Sequence, residues 1–191
     1  MTQDANFAIF PTALGDCAIA WGEAGLVGVW LPMASAGALR ARIVQKFPSA
    51  QEAEPAGAQA DAVARIQQLL ATGQADLSPI SVDFSRLADF EREVYLVARQ
   101  VPPGRTITYG EIARKVGQVS DSRRVGQAMG ANRWPIVVPC HRVLGADGKA
   151  GGFSAPGGLD TKLRLLAIEK ARVGDDPGLF DDLPLAVKPR G

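Results

Sequence analysis

The chain has 191 residues and a net charge of +1 at pH 7; 47% of its residues are hydrophobic and 21% are charged. This composition is typical of an ordinary soluble globular protein, and no apolar run approaches the roughly 20 residues that cross a bilayer. The first ten residues lack the basic and apolar regions of a secretion signal. Two cysteines far apart in sequence, Cys17 and Cys140, do not make a disulfide framework, so we expect a cytoplasmic protein without membrane contact.

Residues 1–82 alternate short apolar runs with turn residues, which predicts an α/β domain. Strands are predicted at FAIF, CAIAW and GLVGVWLP. The segment SAGALRARIVQKF has helical spacing, because four apolar residues share one face: Leu39, Ile43, Val44 and Phe47. A second helix, DAVARIQQLLATG, has Asp61 as a possible N-cap and Gly73 at its end.

Residues 83–172 are richer in helical patterns and form the second predicted domain. Thr108 and Glu111 have the spacing of a capping box at the start of one short helix. The next helix, SDSRRVGQAMGAN, has Ser120 or Asp121 as its cap. Two short helices joined by a tight turn, the second rich in arginine, are typical of a helix-turn-helix, although many helical pairs share this pattern without binding DNA.

The C-terminal part continues with a Gly-rich loop, GADGKAGGFSAPGG, and a last amphipathic helix, LDTKLRLLAIEKAR. Residues 173–191 form an acidic, proline-containing tail with little periodicity, which we interpret as an appendage.

Positive charge is concentrated between Arg99 and Arg142, where eight basic and two acidic side chains give a local charge of +6. A basic block inside a neutral chain is typical of a nucleic-acid-binding face. A solvated helical surface has the same composition, so composition alone supports both interpretations equally.

The segment PIVVPCHRVLGADG places Cys140 directly before His141, the only histidine of the chain. A cysteine nucleophile needs a basic or positive neighbour and access. Adjacent residues of a regular strand point to opposite faces, so this pair meets only on a bend or helix start, or through a bridging water. A carboxylate on the far ring nitrogen would orient the imidazole, and Glu169 is the candidate.

Two other interpretations of Cys140 stay open at this point. An isolated cysteine after an apolar run is more often an inert core residue. Metal binding is less favoured, because one histidine and two distant cysteines do not supply a tetrahedral site without carboxylates. Cys17 has none of these neighbours and is interpreted as structural.

The motif VPCHRV resembles the active-site motif of the O6-alkylguanine-DNA alkyltransferases, also called methylated-DNA–protein-cysteine methyltransferases. The resemblance covers about residues 90–170 and includes ITYGEIA, RRVGQAMGAN, PIVVPCHRVLG and LLAIE in the family's order. It implies a ribonuclease H-like α/β N-terminal domain followed by a mainly α, winged helix-turn-helix-like DNA-binding domain. Members that bind zinc use several Cys and His ligands that this chain lacks, so we expect no metal and no cofactor.

The resemblance also implies the roles of the catalytic residues. Cys140 accepts the alkyl carbon from guanine O6, and His141 deprotonates the thiol through a water. Glu169 completes this relay, and Asn132 braces the turn between the recognition helix and the active site. Arg142 is not assigned to DNA, since a structural salt bridge explains it equally well.

On the DNA side, the resemblance implies that Tyr109 turns the phosphate of the target nucleotide and hydrogen-bonds the flipped base. Arg123 fills the gap left in the base stack, with phosphate contact as the alternative, and Arg124 adds phosphate affinity or alters docking. The remaining predicted pocket residues are Met129, Val143, Phe153 and Ser154. The family's compact YSGG segment reads GFSAPGGL here, so the motif does not define the size of the alkyl pocket.

The implied function is repair of double-stranded DNA containing O6-alkylguanine, and also O4-alkylthymine, by a monomeric protein. The alkylated base must be flipped out of the duplex at a cost of a few kcal/mol. Because the product is a thioether, which reductants do not reverse, each molecule acts once. The alternatives are a non-catalytic alkyltransferase-like lesion-binding protein, a plain helix-turn-helix regulator and a cysteine hydrolase.

Overall fold

The computed structural model describes residues 5–118, 121–146, 148, 150 and 154–171. The predicted pocket residue Phe153, the alternative cap Ser120 and the 173–191 tail lie outside these residues. None of the described helices is both long enough and apolar enough to cross a membrane.

The N-terminal half is a four-stranded mixed sheet with two helices. Its strands lie in the order β3-β2-β1-β4, with β1 antiparallel to β2, β2 antiparallel to β3, and β4 parallel to β1. The strands and helices are β1 (Asn6–Phe10), β2 (Cys17–Gly22), β3 (Gly25–Trp30), α1 (Ala36–Lys46), β4 (Gln51–Glu52) and α2 (Ala58–Thr72).

Strand β2 is apolar along its length because both faces of the sheet are covered. Successive side chains point to opposite faces, so Ala18 and Ala20 pack with the buried residues of α1. Cys17 and Ile19 point to the other face and join the main core with α2 and the C-terminal half. Burial raises the pKa of Cys17 to about 11, in keeping with the structural role expected for it.

Two details of the predicted helices are wrong. Val44 does not share the buried face of α1 but is 40% exposed, because the buried stripe is narrow and consists of Leu39 and Ile43. Asp61 is not a cap: α2 begins at Ala58, and the Asp61 carboxylate lies in its first turn, where it accepts a 2.6 Å hydrogen bond from Arg65. The predicted end of α2 is confirmed, since Gly73 is its left-handed C-cap.

The C-terminal half is mainly helical, so the mixed α/β and helical arrangement of the two halves is confirmed. Its two short strands, β5 (Ile107–Thr108) and β6 (Val143–Leu144), pair in parallel. The elements are α3 (Asp89–Arg99), β5 (Ile107–Thr108), α4 (Tyr109–Lys115), α5 (Ser122–Gly130), a 3-10 turn (Cys140–Arg142), β6 (Val143–Leu144) and α6 (Gly158–Ile168).

Caps define where α4 and α5 begin. The Thr108 hydroxyl accepts a hydrogen bond from the Glu111 amide (3.1 Å), and the Glu111 carboxylate accepts one from the Thr108 amide (2.7 Å). This is the predicted capping box. Asp121 caps α5 by accepting a 3.0 Å hydrogen bond from the Arg124 amide. The two helices pack together as the helix-turn-helix pattern predicts.

Candidate active site

The apolar run before Cys140 does not form a strand. Residues 133–138 form successive turns, and Ile136 has a positive φ of 74°. Pro135 and Pro139 have no amide hydrogen to donate to a sheet, which explains why a buried run of apolar residues coils instead. The chain then enters the 3-10 turn at Cys140, so the cysteine and the histidine lie at a helix start, one of the two arrangements predicted.

Asn132 holds this turn through both the nitrogen and the oxygen of its side-chain amide. Its Nδ2 donates to the Val138 carbonyl oxygen (2.8 Å) and to the Cys140 Sγ (3.2 Å), while its Oδ1 accepts from the Trp134 amide (2.9 Å). One side chain therefore fixes both the path of the turn and the position of the sulfur, directly after helix α5.

The Cys140 thiol is buried, with a residue exposure of 7%. Burial raises its pKa above the ordinary value of a thiol. The hydrogen bond from Asn132, the positive charge of Lys162, and the backbone amides of Cys140 and His141 all oppose that rise. The thiol thus needs a base to ionise it, and the surrounding donors are arranged to stabilise the thiolate once it forms.

His141 is completely buried, and its Nε2 lies 2.9 Å from Glu169 Oε1. Glu169 is ionised: burial alone would raise its pKa, but hydrogen bonds and charges from His141 and Arg142 lower it to about 2. An ionised carboxylate only accepts hydrogen bonds, so Nε2 carries the ring proton and donates a hydrogen bond to Glu169. Burial lowers the pKa of His141, which leaves the ring neutral at neutral pH, with its lone pair on Nδ1.

Nδ1 of His141 has no hydrogen-bond partner among the described residues, although it is buried. A buried, unpaired nitrogen costs about 1–3 kcal/mol and is uncommon in folded proteins. Its lone pair can accept a hydrogen bond, and then a proton, from a thiol or from a water bound to the thiol. The structure therefore pairs Glu169 with Nε2 of His141, the orienting carboxylate expected from the sequence, and leaves Nδ1 without a partner among the described residues.

Arg142 is also buried and contacts the same carboxylate. Its Nε and Nη2 donate to the two oxygens of Glu169 (2.9 and 2.7 Å), and its Nη1 donates to the Val101 carbonyl oxygen (2.5 Å). This fork-shaped ion pair holds Glu169 in one orientation. Of the two interpretations of Arg142, the structural salt bridge is the one that the structure contains.

The predicted DNA-side residues lie on α4, α5 and the loop before α6. Tyr109 is the first residue of α4, and Arg123 is exposed on α5. The guanidinium of Arg124 stacks on the Phe90 ring, 4.0 Å from its centroid. The hydroxyl of Ser154 donates to the Gly130 carbonyl oxygen (2.9 Å), which ties the loop to the end of α5.

Met129 and Val143 are both buried in the main core, and Val143 follows the active-site turn in β6. A cavity of about 430 Å³, here called the thiol cavity, lies in front of Cys140 and is also lined by Asn132 and Ser154. Within the described residues, no three His, Cys, Asp or Glu side chains converge into a metal-binding group.

Residues 89–171 match a family model described as "6-O-methylguanine DNA methyltransferase, DNA binding domain". A methylated-DNA–protein-cysteine methyltransferase of Mycolicibacterium paratuberculosis is 41% identical over 117 residues, which are 61% of this chain and 70% of that protein. Another, of Methanothermobacter thermautotrophicus, is 30% identical over 154 residues, which are 81% of this chain and 79% of that one. The chain belongs to the methylated-DNA–protein-cysteine methyltransferase family.

Solved structures of the family show the same arrangement over both halves. The Mycobacterium tuberculosis O6-methylguanine methyltransferase is 30% identical, has a TM-score of 0.71, and the match covers 93% of this chain and 99% of that one. A second structure of the M. tuberculosis protein, in complex with DNA, is 29% identical with a TM-score of 0.70, over 86% of this chain and 92% of that one.

Lys162 of this methyltransferase was not predicted from the sequence as part of the site. Its side chain is completely buried, and its Nζ donates to the Val143 carbonyl oxygen (2.6 Å) and lies 6.0 Å from the centroid of the Tyr109 ring. Burial lowers its pKa to about 8, against a smaller opposing effect of Cys140. The sequence does contain a signal for it. Lys162 lies three positions before Leu165 and four before Leu166, so it shares the apolar face of α6, where a charged side chain is unusual.

Proposed function

We propose that this chain is a DNA repair protein that transfers the alkyl group of O6-alkylguanine to Cys140. The observation that carries the proposal is the sequence of contacts from the Cys140 turn through His141 to Glu169. A thiol, a neutral imidazole with its lone pair unpaired, and an ionised carboxylate form the arrangement that activates a nucleophile in other cysteine sites.

In the proposed reaction, Nδ1 of His141 takes the thiol proton through one water while Glu169 stabilises the resulting imidazolium. The Cys140 sulfur attacks the alkyl carbon, and an S–C bond forms as the O6–C bond breaks. The electron pair of that bond goes to the base, which takes up the proton that His141 received, through water, and becomes an unmodified guanine of the DNA. Asn132 and Lys162 stabilise the negative charge on sulfur before the attack.

The base has to reach the buried sulfur, so we infer that it is flipped out of the duplex. Helix α5, in a winged helix-turn-helix-like domain, is the proposed recognition helix, and Arg123 at its exposed face fills the gap in the stack. Tyr109 contacts the flipped nucleotide, and Met129, Val143 and Ser154 belong to the proposed pocket. The stacking of Arg124 on Phe90 favours a role for Arg124 in holding α5 against α3 over a direct phosphate contact.

The proposed reaction uses no cofactor and ends in a thioether, so each molecule repairs one base. The wider proposal is a monomeric protein of the cytoplasm with a ribonuclease H-like N-terminal domain, which accepts O4-alkylthymine as well.

The test is to incubate the protein with a duplex containing O6-methylguanine and to determine its intact mass and the modified peptide. We expect a gain of one methyl group per molecule on the Cys140 peptide. The Cys140→Ser variant should keep its affinity for the duplex and show no gain. Tight binding of the wild type without any gain would instead identify a non-catalytic lesion-binding protein.

A further inference from the structure

The thiol cavity, of about 430 Å³, extends from Cys140 to side chains of the N-terminal half. Part of its lining is apolar and comes from both halves of the protein: Leu31 and Met33 from the N-terminal half, and Pro135, Ala155 and Pro156 from the C-terminal half.

Three cations line the same cavity. Arg42 and Lys46 lie one turn apart on α1, and Arg133 follows α5. None of the three takes part in an ion pair among the described residues; Arg42 donates to the side-chain oxygen of Gln45 (2.8 Å), which is neutral. Partial desolvation and the neighbouring Arg133 and Arg42 lower the pKa of Lys46, so the three positive charges lie close enough to repel one another.

Arg40, on the same helix, shows the usual arrangement for comparison. Its guanidinium donates to both carboxylate oxygens of Glu52, at 2.6 to 3.0 Å. On helix α1, the arginine outside the thiol cavity is paired with a carboxylate, whereas the two cations that line the cavity form no ion pair among the described residues. Asp83 lines a second cavity of about 250 Å³ together with Lys46 and Arg133, and Cys140 is not among the residues that line it.

We propose that the thiol cavity receives the O6-alkyl group of the flipped base and favours alkyl groups that end in a carboxylate. This inference rests on the proposed transfer to Cys140 and adds a substrate class to it. The apolar walls contact the alkyl chain, and the cluster of Arg42, Lys46 and Arg133 binds its charged end.

The cluster of cations would assist the attack of the thiolate on an alkyl group that carries a negative charge. A carboxylate on the alkyl group repels the approaching thiolate, and the repulsion grows as the reacting groups leave water. Cations in the lining of the cavity offset this repulsion, and a guanidinium binds a carboxylate through two parallel hydrogen bonds. In the transfer, the sulfur bonds to the alkyl carbon and the O6–C bond breaks. The carboxylate stays on the chain and ends up on Cys140.

The experiment compares three duplexes that carry O6-methylguanine, O6-carboxypropylguanine or the primary amide of the latter, which has the same size without the charge. Single-turnover transfer rates are measured with protein in saturating excess. For Arg42→Gln/Lys46→Gln we expect the ratio of the carboxylate rate to the amide rate to fall about five-fold, as for two partly exposed charge contacts, while methyl transfer is unchanged.

Arg40→Gln is the matched control, because it removes a neighbouring charge that Glu52 already neutralises, and it should leave all three rates unchanged. An unchanged carboxylate-to-amide ratio in the double variant would overturn the proposal. An equal loss of rate or affinity with all three duplexes would overturn it too, because the cations would then serve the DNA phosphates. In both cases intact methyl transfer by the wild type would leave the function itself standing.

Discussion

The buried residues in the described part of the chain include four with acidic or basic side chains: His141, Arg142, Lys162 and Glu169. Isolated buried charges are strongly unfavourable, so such groups occur where they are paired or where function needs them. All four lie around the turn that carries Cys140. Three of them compensate one another through the Glu169 carboxylate. Lys162 is the exception: its ammonium donates to a backbone carbonyl and lies over the Tyr109 ring, with no carboxylate partner among the described residues.

We predict that Lys162→Met shifts ionisation of the Cys140 thiol to higher pH, because the variant removes a positive charge that stabilises the thiolate. Below pH 8, where Lys162 is protonated, alkylation of Cys140 by iodoacetamide should slow in proportion to the lost thiolate, about tenfold if the pKa of the thiol rises by about one. Above pH 8, wild-type Lys162 loses its proton and the two proteins should converge.

Cys17 serves as the internal reference for this experiment, because it is buried, has a raised pKa and lies outside the site. Peptide mass spectrometry reports both cysteines in one sample. Identical pH profiles of Cys140 in the two proteins would contradict the electrostatic role of Lys162.

The catalytic side chains were predictable from the sequence to different degrees. Cys140 and His141 are adjacent, and Glu169 was found because an imidazole needs a carboxylate partner. Lys162 was missed because patterns of apolar spacing treat a lysine on a helix as solvated, and only tertiary packing shows that it is enclosed. For Arg142, the sequence did not distinguish DNA contact from a structural salt bridge. Only the three-dimensional structure shows that its guanidinium lies against the Glu169 carboxylate.

Helix α4 shows how a local motif positions a functional side chain. Its capping box satisfies the Thr108 and Glu111 backbone amides and begins the helix at Tyr109. The Tyr109 ring then lies half-buried beside Lys162, where burial, together with the charge of Cys140, raises its pKa. Since the cap and the proposed base contact are consecutive residues, the stability of the helix start and the placement of the ring are linked.

We predict that Thr108→Ala lowers the free energy of unfolding by about 1 kcal/mol, the typical cost of losing an N-cap. It should also slow methyl transfer, because Tyr109 loses its defined position at the first helical residue. Urea unfolding and single-turnover transfer are the two measurements.

Ser35→Ala is the matched control, since it removes the N-cap of α1, whose hydroxyl accepts from the Ala38 amide at 3.1 Å. It should cost a similar amount of stability and leave methyl transfer unchanged. Equal transfer rates in both variants would show that the capping box serves stability alone.

Helices and caps were predicted better than the apolar run PIVVP. The capping box and Asp121 follow local rules that the sequence carries. The apolar run has the composition of a buried strand, but its prolines and the left-handed Ile136 turn it into a coil. Asn132 holds that coil through side-chain hydrogen bonds to residues six and eight positions away, which no strand or helix periodicity predicts. Asp61 was mistaken for a cap because an acidic residue is favoured in the first turn as well as at the cap.

The two halves of the protein are joined by a shared hydrophobic core and by specific backbone contacts. Trp134 donates its indole N–H to the Leu26 carbonyl oxygen (2.8 Å), and the Val29 amide donates to the Arg133 carbonyl oxygen (2.9 Å). At the other end, the left-handed Gly73 at the end of α2 packs directly on Ile168, so that a Cβ there would overlap the Ile168 carbonyl oxygen. The N-terminal half therefore supports the backbone that carries Glu169.

We predict that Gly73→Ala displaces the end of α6 and slows methyl transfer, because Glu169 follows Ile168 directly. Gly57→Ala is the control: Gly57 also has a positive φ, of 54°, but nothing lies within 4 Å of an added Cβ. Both variants place a side chain at a positive φ, which costs stability in urea, whereas only Gly73→Ala adds an overlap at the end of α6 and should lose transfer activity. Equal behaviour of the two variants would show that the contact does not support the site.

The presence of a single histidine, at the centre of the site, has a practical consequence. Because His141 is the only imidazole in the chain, a ¹⁵N-labelled sample contains one pair of histidine ring nitrogens. A long-range ¹⁵N–¹H spectrum of the unmodified protein therefore reports, without assignment or mutagenesis, which nitrogen carries the proton. Recorded before and after repair of one base, that spectrum follows the acid–base chemistry of the site directly.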